Sequence, residues 1–290
     1  MEPRTFTKDD GAILSYAVLG NEDAPTTLVC HPGGPGMSGS YFGDLCGFGS
    51  RALRVILFNP RGTGESSPPV DGRYELDDYA ADLDALRGEL GLERINVLGH
   101  SHGGFVSVVY ALSYPERLGR LALVCTAPRF SPELSEEADA AFATHRAQPW
   151  FDDAREAQRR RQAWEFTSRQ EAAALYAREA RLWFADHGPD TEAFLAGFAR
   201  QRPDLEALRY FNERLAATYD LRPRLGEIEA PTLIVNGARD FFGPRISTRE
   251  FAAIPDSRVV LIPSAGHFVF VEAPERFRAE LEAFLGLHRA

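Results

Sequence analysis

The stretch Gly99-His100-Ser101-His102-Gly103-Gly104 constrains this chain more than any other. The apolar run Ile95-Asn96-Val97-Leu98 leads into it, and Phe105-Val106-Ser107-Val108-Val109-Tyr110-Ala111 leads out. The first has the length of a buried strand and the second reads as a helix, with Gly-x-Ser-x-Gly between them. A serine on so tight a strand–turn–helix junction is strained, and its hydroxyl is held outward. The positions two before and two after it are pressed against strand and helix, so glycine is needed there. Ser101 is therefore a candidate nucleophile. Gly-x-Ser-x-Gly is a common pattern on its own, and the rest of the chain decides its meaning.

The chain alternates strand and helix on both sides of this turn. Residues 4–19 read as a hairpin turning at Asp9-Asp10-Gly11. Buried-type strands follow at 27–30, 54–58, 94–98 and 120–125, with a helix of period 3.6 over 74–90. Strands resume at 232–236 and 258–262, and an amphipathic helix closes the chain at about 273–287. The pattern predicts an α/β fold with a mostly parallel eight-stranded sheet and helices on both faces. Between Ser131 and about Leu225 the sequence is Ala-, Glu- and Arg-rich with spaced aromatics and no β-branched run. Residues 129–228 are expected to form an inserted helical cap on a core built from 1–128 and 229–290. Within it, Arg159-Arg160-Arg161 reads as a solvated helix face.

Charge and cysteines narrow the partners. The net charge of −10 disfavours a polyanion such as nucleic acid. Cys30, Cys46 and Cys125 show no CxxC spacing, and Cys30 and Cys125 lie in apolar runs as small hydrophobes. With a charged N-terminal segment and no long apolar run, a cytoplasmic protein without signal peptide or membrane span is expected. The expected partner is a small-molecule or short-peptide substrate.

A serine hydroxyl becomes a useful nucleophile when an imidazole takes its proton and a carboxylate orients that imidazole. Asp240 follows one C-terminal strand and His267 the next, so both fall at the sheet edge where Ser101 would lie. Asp256 is a rival acid, but Pro255-Asp256-Ser257 reads as a turn at the opposite edge. An oxyanion formed at Ser101 needs backbone N–H donors. His102 supplies one, and the loop His31-Pro32-Gly33-Gly34-Pro35-Gly36 supplies the other, from Gly34 first and Gly33 next. His31, His100 and His102 lack the spacing and the carboxylates of a metal site, so neither metal nor cofactor is expected. His145, His187 and His288 read as surface residues.

These motifs, in this order, resemble the α/β-hydrolase superfamily, and within it the proline iminopeptidases and tricorn-interacting aminopeptidases. Gly33-Gly34-Pro35-Gly36 resembles their HGGPG loop, and Asn59-Pro60-Arg61-Gly62-Thr63-Gly64-Glu65-Ser66 resembles their D-x-R-G-x-G-x-S turn. The resemblance implies that a glutamate late in the cap binds the substrate's free amine. Asn212-Glu213, with Tyr219-Asp220 after it, matches that segment, which makes Glu213 the candidate. Three positions depart from the family. Phe241 stands where a second glutamate follows the acid, His102 where an aromatic follows the serine, and Pro32 separates His31 from the glycines. Phe241, with Phe242, would give the substrate site an apolar wall.

Three readings follow. An aminopeptidase of the iminopeptidase type is the first. A carboxylesterase, lactonase or C–C-bond hydrolase acting on a small neutral substrate is the second. A silent hydrolase fold serving as a ligand receptor is the third. Epoxide hydrolases and dehalogenases are disfavoured because they use an aspartate nucleophile where this chain has Ser101.

Overall fold

The computed structural model describes residues 2–48 and 52–287. Eight strands form one sheet in the order β1-β2-β4-β3-β5-β6-β7-β8. They are β1 Arg4–Thr7, β2 Ile13–Gly20, β3 Thr26–His31, β4 Leu53–Asn59, β5 Ile95–His100, β6 Leu118–Val124, β7 Thr232–Gly237 and β8 Ser257–Ile262. The pairs β1–β2 and β2–β4 are antiparallel and every other pair is parallel.

Side chains alternate along each central strand, so odd and even positions feed two separate cores. Leu28, Cys30, Val55, Leu57, Leu98 and Val124 join one core. Val29, Ile56, Phe58, Val97, Leu121 and Leu123 join the other. Burial on both faces explains why these strands are apolar runs with no polar alternation. The helices α1 Leu76–Glu89, α2 His102–Ser113 and α8 Pro244–Phe251 contribute to the second core through Tyr79, Leu83, Leu86, Val106, Tyr110 and Phe251.

The segment between β6 and β7 is helical: α3 Pro132–Ala143, α4 Phe151–Gln162, α5 Arg169–Glu179, α6 Pro189–Phe198 and α7 Leu205–Tyr210. Phe142, Tyr176, Trp183, Phe184, Leu195 and Phe198 from this insertion join the first core. The same core takes Phe277, Leu281 and Leu285 from α10, Pro274–Leu285. The closing helix is interrupted, with a short α9 at Val269–Glu272 and a break at Ala273 before Pro274. Proline lacks an N–H and fixes its own φ, so it starts α10 instead of continuing α9.

Hydrogen bonds tie the insertion to the sheet edge, two groups of them close to the site. Asp204 N–H donates to Gly36 O at 2.8 Å, while Asp204 Oδ2 accepts from Tyr74 Oη at 2.6 Å. On the other side, Glu272 accepts from Ala185 N–H at 2.6 Å and from Gly266 N–H at 2.8 Å. Among the described residues no helix is long and apolar enough to cross a membrane.

Candidate active site

The chain runs from β3 to β4 on one side and then returns to place β5 on the other side of β3. Such a reversal opens a crevice at the C-terminal ends of the strands. His31 and Gly99 are register partners across β3 and β5, so the glycine–proline loop and the serine turn leave the sheet side by side. Asp240 lies just beyond β7, and His267 beyond β8.

Ser101 has φ 57° and ψ −123°, a left-handed conformation for a residue with a side chain. It caps α2, and its hydroxyl borders the cavity. Two contacts explain the glycines. A Cβ on Gly103 would stand 2.2 Å from His31 O, and one on Gly99 would stand 2.3 Å from Gly103 O. The elbow closes only with hydrogen at both places. Strain of this kind costs about 1–3 kcal/mol and persists where the surroundings over-determine the backbone. Here Ser101 N–H donates to Val124 O at 3.0 Å, and Thr126 Oγ1 donates to Ser101 O at 2.8 Å.

His267 Nδ1 meets Asp240 Oδ1 at 2.9 Å, both residues being buried. Phe242 N–H also donates to Asp240 Oδ1, at 3.2 Å. Both backbone groups of His267 are held: its N–H donates to Trp183 O at 2.7 Å, and its carbonyl accepts from His100 Nε2 at 2.9 Å. Ser101, His102 and His267 line one cavity of about 550 Å³. No hydrogen bond joins Ser101 Oγ to His267, and such contacts commonly tighten only around substrate.

The donors split. Gly33 N–H is already committed to Tyr41 Oη at 2.5 Å, which corrects its reading as an oxyanion donor. Gly34 N–H and His102 N–H have no acceptor among the described residues, the latter because it opens α2. Both residues line the cavity.

Phe241 also lines it, its ring centroid 4.3 Å from that of His267, and Phe242 lies beside it. Phe105, Phe130, Phe142, Trp183, Phe198 and Phe211 extend the aromatic wall. Glu213 is solvent-exposed and absent from the lining, while its neighbours Phe211 and Asn212 are part of it. The charged groups of the wall are Asp139, Arg155, Arg161 and Glu179.

Arg161 departs from the expected solvated face. Its side chain is 13% exposed and that of Glu179 is 2% exposed, and Nε and Nη2 of the one meet the two oxygens of the other. A sequence signal existed: Ala154 and Ala157, both fully buried, mark the inner face of α4, and Arg161 continues it. His145 is buried and His187 half-buried against Trp150, which corrects their reading as surface residues. Histidine 288 lies outside the described residues.

Nitrogens of His100 and His267 and the sulfur of Cys125 lie within 4.8 Å of one another. The donor set does not suit a cation. Both nitrogens of His100 and Nδ1 of His267 already hold hydrogen bonds. Burial pushes the Cys125 thiol well above its ordinary range, so it stays protonated.

A strained serine, an imidazole–carboxylate pair and two free N–H groups at the C-terminal edge of a parallel sheet define a hydrolase of the nucleophile-elbow class. Residues 26–274 match the α/β hydrolase fold family, and the chain belongs to it. It is 27% identical to a proline iminopeptidase of Lactobacillus helveticus, over 94% of each chain. It is 31% identical to 2-hydroxy-6-oxononadienedioate/2-hydroxy-6-oxononatrienedioate hydrolase 2 of Pseudomonas putida, covering 94% of this chain and 91% of that one. The crystal structure of a proline iminopeptidase from Mycobacterium smegmatis superposes with a TM-score of 0.76 at 25% identity, over 98% of each chain.

Proposed function

We propose that this protein is a serine hydrolase of small, largely apolar carboxylic esters or related neutral carbonyl compounds. Ser101 Oγ attacks the carbonyl carbon while His267 Nε2 takes its proton. Asp240 orients the imidazole and stabilises its cation, and the N–H groups of Gly34 and His102 take the oxyanion. His267 returns the proton to the leaving oxygen, which departs as an alcohol. Water then gives a proton to His267 and its oxygen to the acyl carbon; the bond from that carbon to Ser101 Oγ breaks, Oγ takes the proton back from His267, and the acid leaves. The helical insertion acts as a cap that shapes the cavity and selects the substrate.

One observation carries the choice of substrate: the cavity wall offers no unpaired buried carboxylate among the described residues. Glu213 is exposed, Glu179 is taken by Arg161, and the Asp139 side chain is 68% exposed. A free ammonium leaving water needs such a partner. A neutral substrate with apolar groups fits the aromatic wall without one.

Release of N-terminal residues from peptides is the second reading, favoured by the glycine–proline loop and by the iminopeptidase relatives. The two separate on one panel, comparing p-nitrophenyl esters of short fatty acids with proline and other aminoacyl arylamides. Ester turnover that Ser101→Ala abolishes, with arylamides untouched, is the expected outcome. Arylamide cleavage with esters ignored overturns the ester reading in favour of the peptidase. Stoichiometric labelling of Ser101 by a fluorophosphonate with no turnover of either class points to a receptor.

A further inference from the structure

Three hydrogen bonds join the glycine loop to the backbone of His267. Gly33 N–H donates to Tyr41 Oη at 2.5 Å, Tyr41 Oη meets His100 Nδ1 at 2.6 Å, and His100 Nε2 meets His267 O at 2.9 Å. The protons along this chain follow from chemistry. A carbonyl only accepts, so His100 Nε2 carries the hydrogen. A neutral imidazole has one N–H, so Nδ1 offers a lone pair and the Tyr41 hydroxyl must donate to it. The phenol oxygen is then free to accept from Gly33. Tyr41 and His100 are both buried on the wall of the cavity, with Phe42, Phe268 and Phe270 around the imidazole. Burial, with the nearby His267 adding to it, holds the His100 imidazole well below its ordinary pKa and keeps it neutral.

We propose that Tyr41 and His100 are positioning residues that fix the distance between the oxyanion loop and the His267 loop. This rests on the serine-hydrolase reading above. None of the three bonds involves the Ser101 hydroxyl or the N–H groups of Gly34 and His102. They act on Gly33, which adjoins the donor Gly34, and on the main chain of His267. His267 is thereby gripped from both sides, since its N–H is held by Trp183 O. With the link cut, both loops remain folded, but they no longer meet one carbonyl group at the same moment.

The test is the rate at which a fluorophosphonate probe labels Ser101 in the full chain, with KM and kcat for p-nitrophenyl butyrate beside it. Tyr41→Phe removes only the hydroxyl. It is expected to slow labelling and kcat by about tenfold to a hundredfold, the scale of a misplaced oxyanion donor, with KM and melting temperature near those of the unmutated protein. His100→Leu cuts the same chain, so the double variant is expected to be no slower than His100→Leu alone. Labelling of Tyr41→Phe at the original rate, or effects that multiply, overturns the proposal. A second readout needs no variant. Nitrogen-15 spectra of the histidines are expected to give His100 as the Nε2–H tautomer, unchanged from about pH 5 to about pH 9. An Nδ1–H tautomer, or titration in that range, overturns the proposal. If Ser101→Ala still labels, the serine-hydrolase reading is what fails, and the spectra still decide the proton chain.

Discussion

The guanidinium of Arg161 and the carboxylate of Glu179 meet as a two-pronged ion pair on the wall of the cavity that holds Ser101. The guanidinium also lies 4.7 Å from the centroid of the Tyr176 ring. Two charges out of water stabilise little by themselves, but each makes the other tolerable. Arg161→Met strands a buried carboxylate and is expected to lower unfolding stability by about 3–5 kcal/mol. Adding Glu179→Leu removes the stranded charge and is expected to recover most of that loss. Urea unfolding of the unmutated protein, both single variants and the double variant decides it, and additive losses would show that the pair is not coupled.

Glu213 yields the opposite expectation. Its carboxylate is exposed and lies outside the cavity lining. Glu213→Gln is expected to change KM and kcat less than about twofold on any ester, as surface substitutions away from a site usually do. A KM for a substrate with a free amino group that rises about tenfold in this variant, a loss of roughly 1.4 kcal/mol, would return the amine-binding role to it.

The contrast between these residues shows what was legible in the sequence. The elbow, the glycine loop, Asp240 and His267 were readable because local stereochemistry and strand order dictate them. A glycine that must sit 2.2 Å from a carbonyl oxygen, counted from its missing Cβ, leaves its mark in the residue itself. The central strands were readable as apolar runs because both faces are covered, though β5 runs on to His100, beyond the expected end at residue 98. The facing of Glu213 was not readable. Its candidacy rests on the resemblance of Asn212-Glu213 to a family segment, which matches residue types and not the side a residue faces, and Glu213 stands exposed within the π-helical turn Phe211–Leu215. Arg161 was obscured differently. Its partner lies on the next helix, and only the small residues Ala154 and Ala157 on its own helix hint that this face turns inward.

Gly33 probes the approach of the glycine loop to the nucleophile. A Cβ added there would stand 2.7 Å from Ser101 Cβ and 3.2 Å from its Oγ. Backbone on the Ser101 side is fixed by the elbow, so the loop must yield and carry Gly34 N–H away. Gly33→Ala is expected to lower kcat for ester hydrolysis by about a hundredfold, as losing one oxyanion donor does, with the protein still folded. Unaltered kcat would show that Gly34 N–H does not take the oxyanion.

Glu272 links stability to pH. Its carboxylate ties the helical insertion to the loop that carries His267, accepting from Gly266, Ala185 and Asp186 N–H groups at 2.8, 2.6 and 3.3 Å. Burial pushes its pKa up to about 7, against the pull of those three N–H groups, and the Asp240 charge adds to the rise. The unfolded chain releases this proton near the ordinary carboxyl value of about 4.3. Between the two values the native protein holds a proton that the unfolded chain has lost, so stability falls as pH rises through that window. Below it the group contributes no penalty, and above about pH 7 the penalty is complete, on the order of 3 kcal/mol. Glu272→Gln keeps an acceptor and cannot ionise, so the variant lacks this slope. The stability of the unmutated protein minus that of the variant is expected to drop by this amount between about pH 4.5 and about pH 8, with every other titrating group cancelling in the difference. Urea unfolding of both proteins across that range measures it, and a difference that stays flat would mean that Glu272 is ionised throughout.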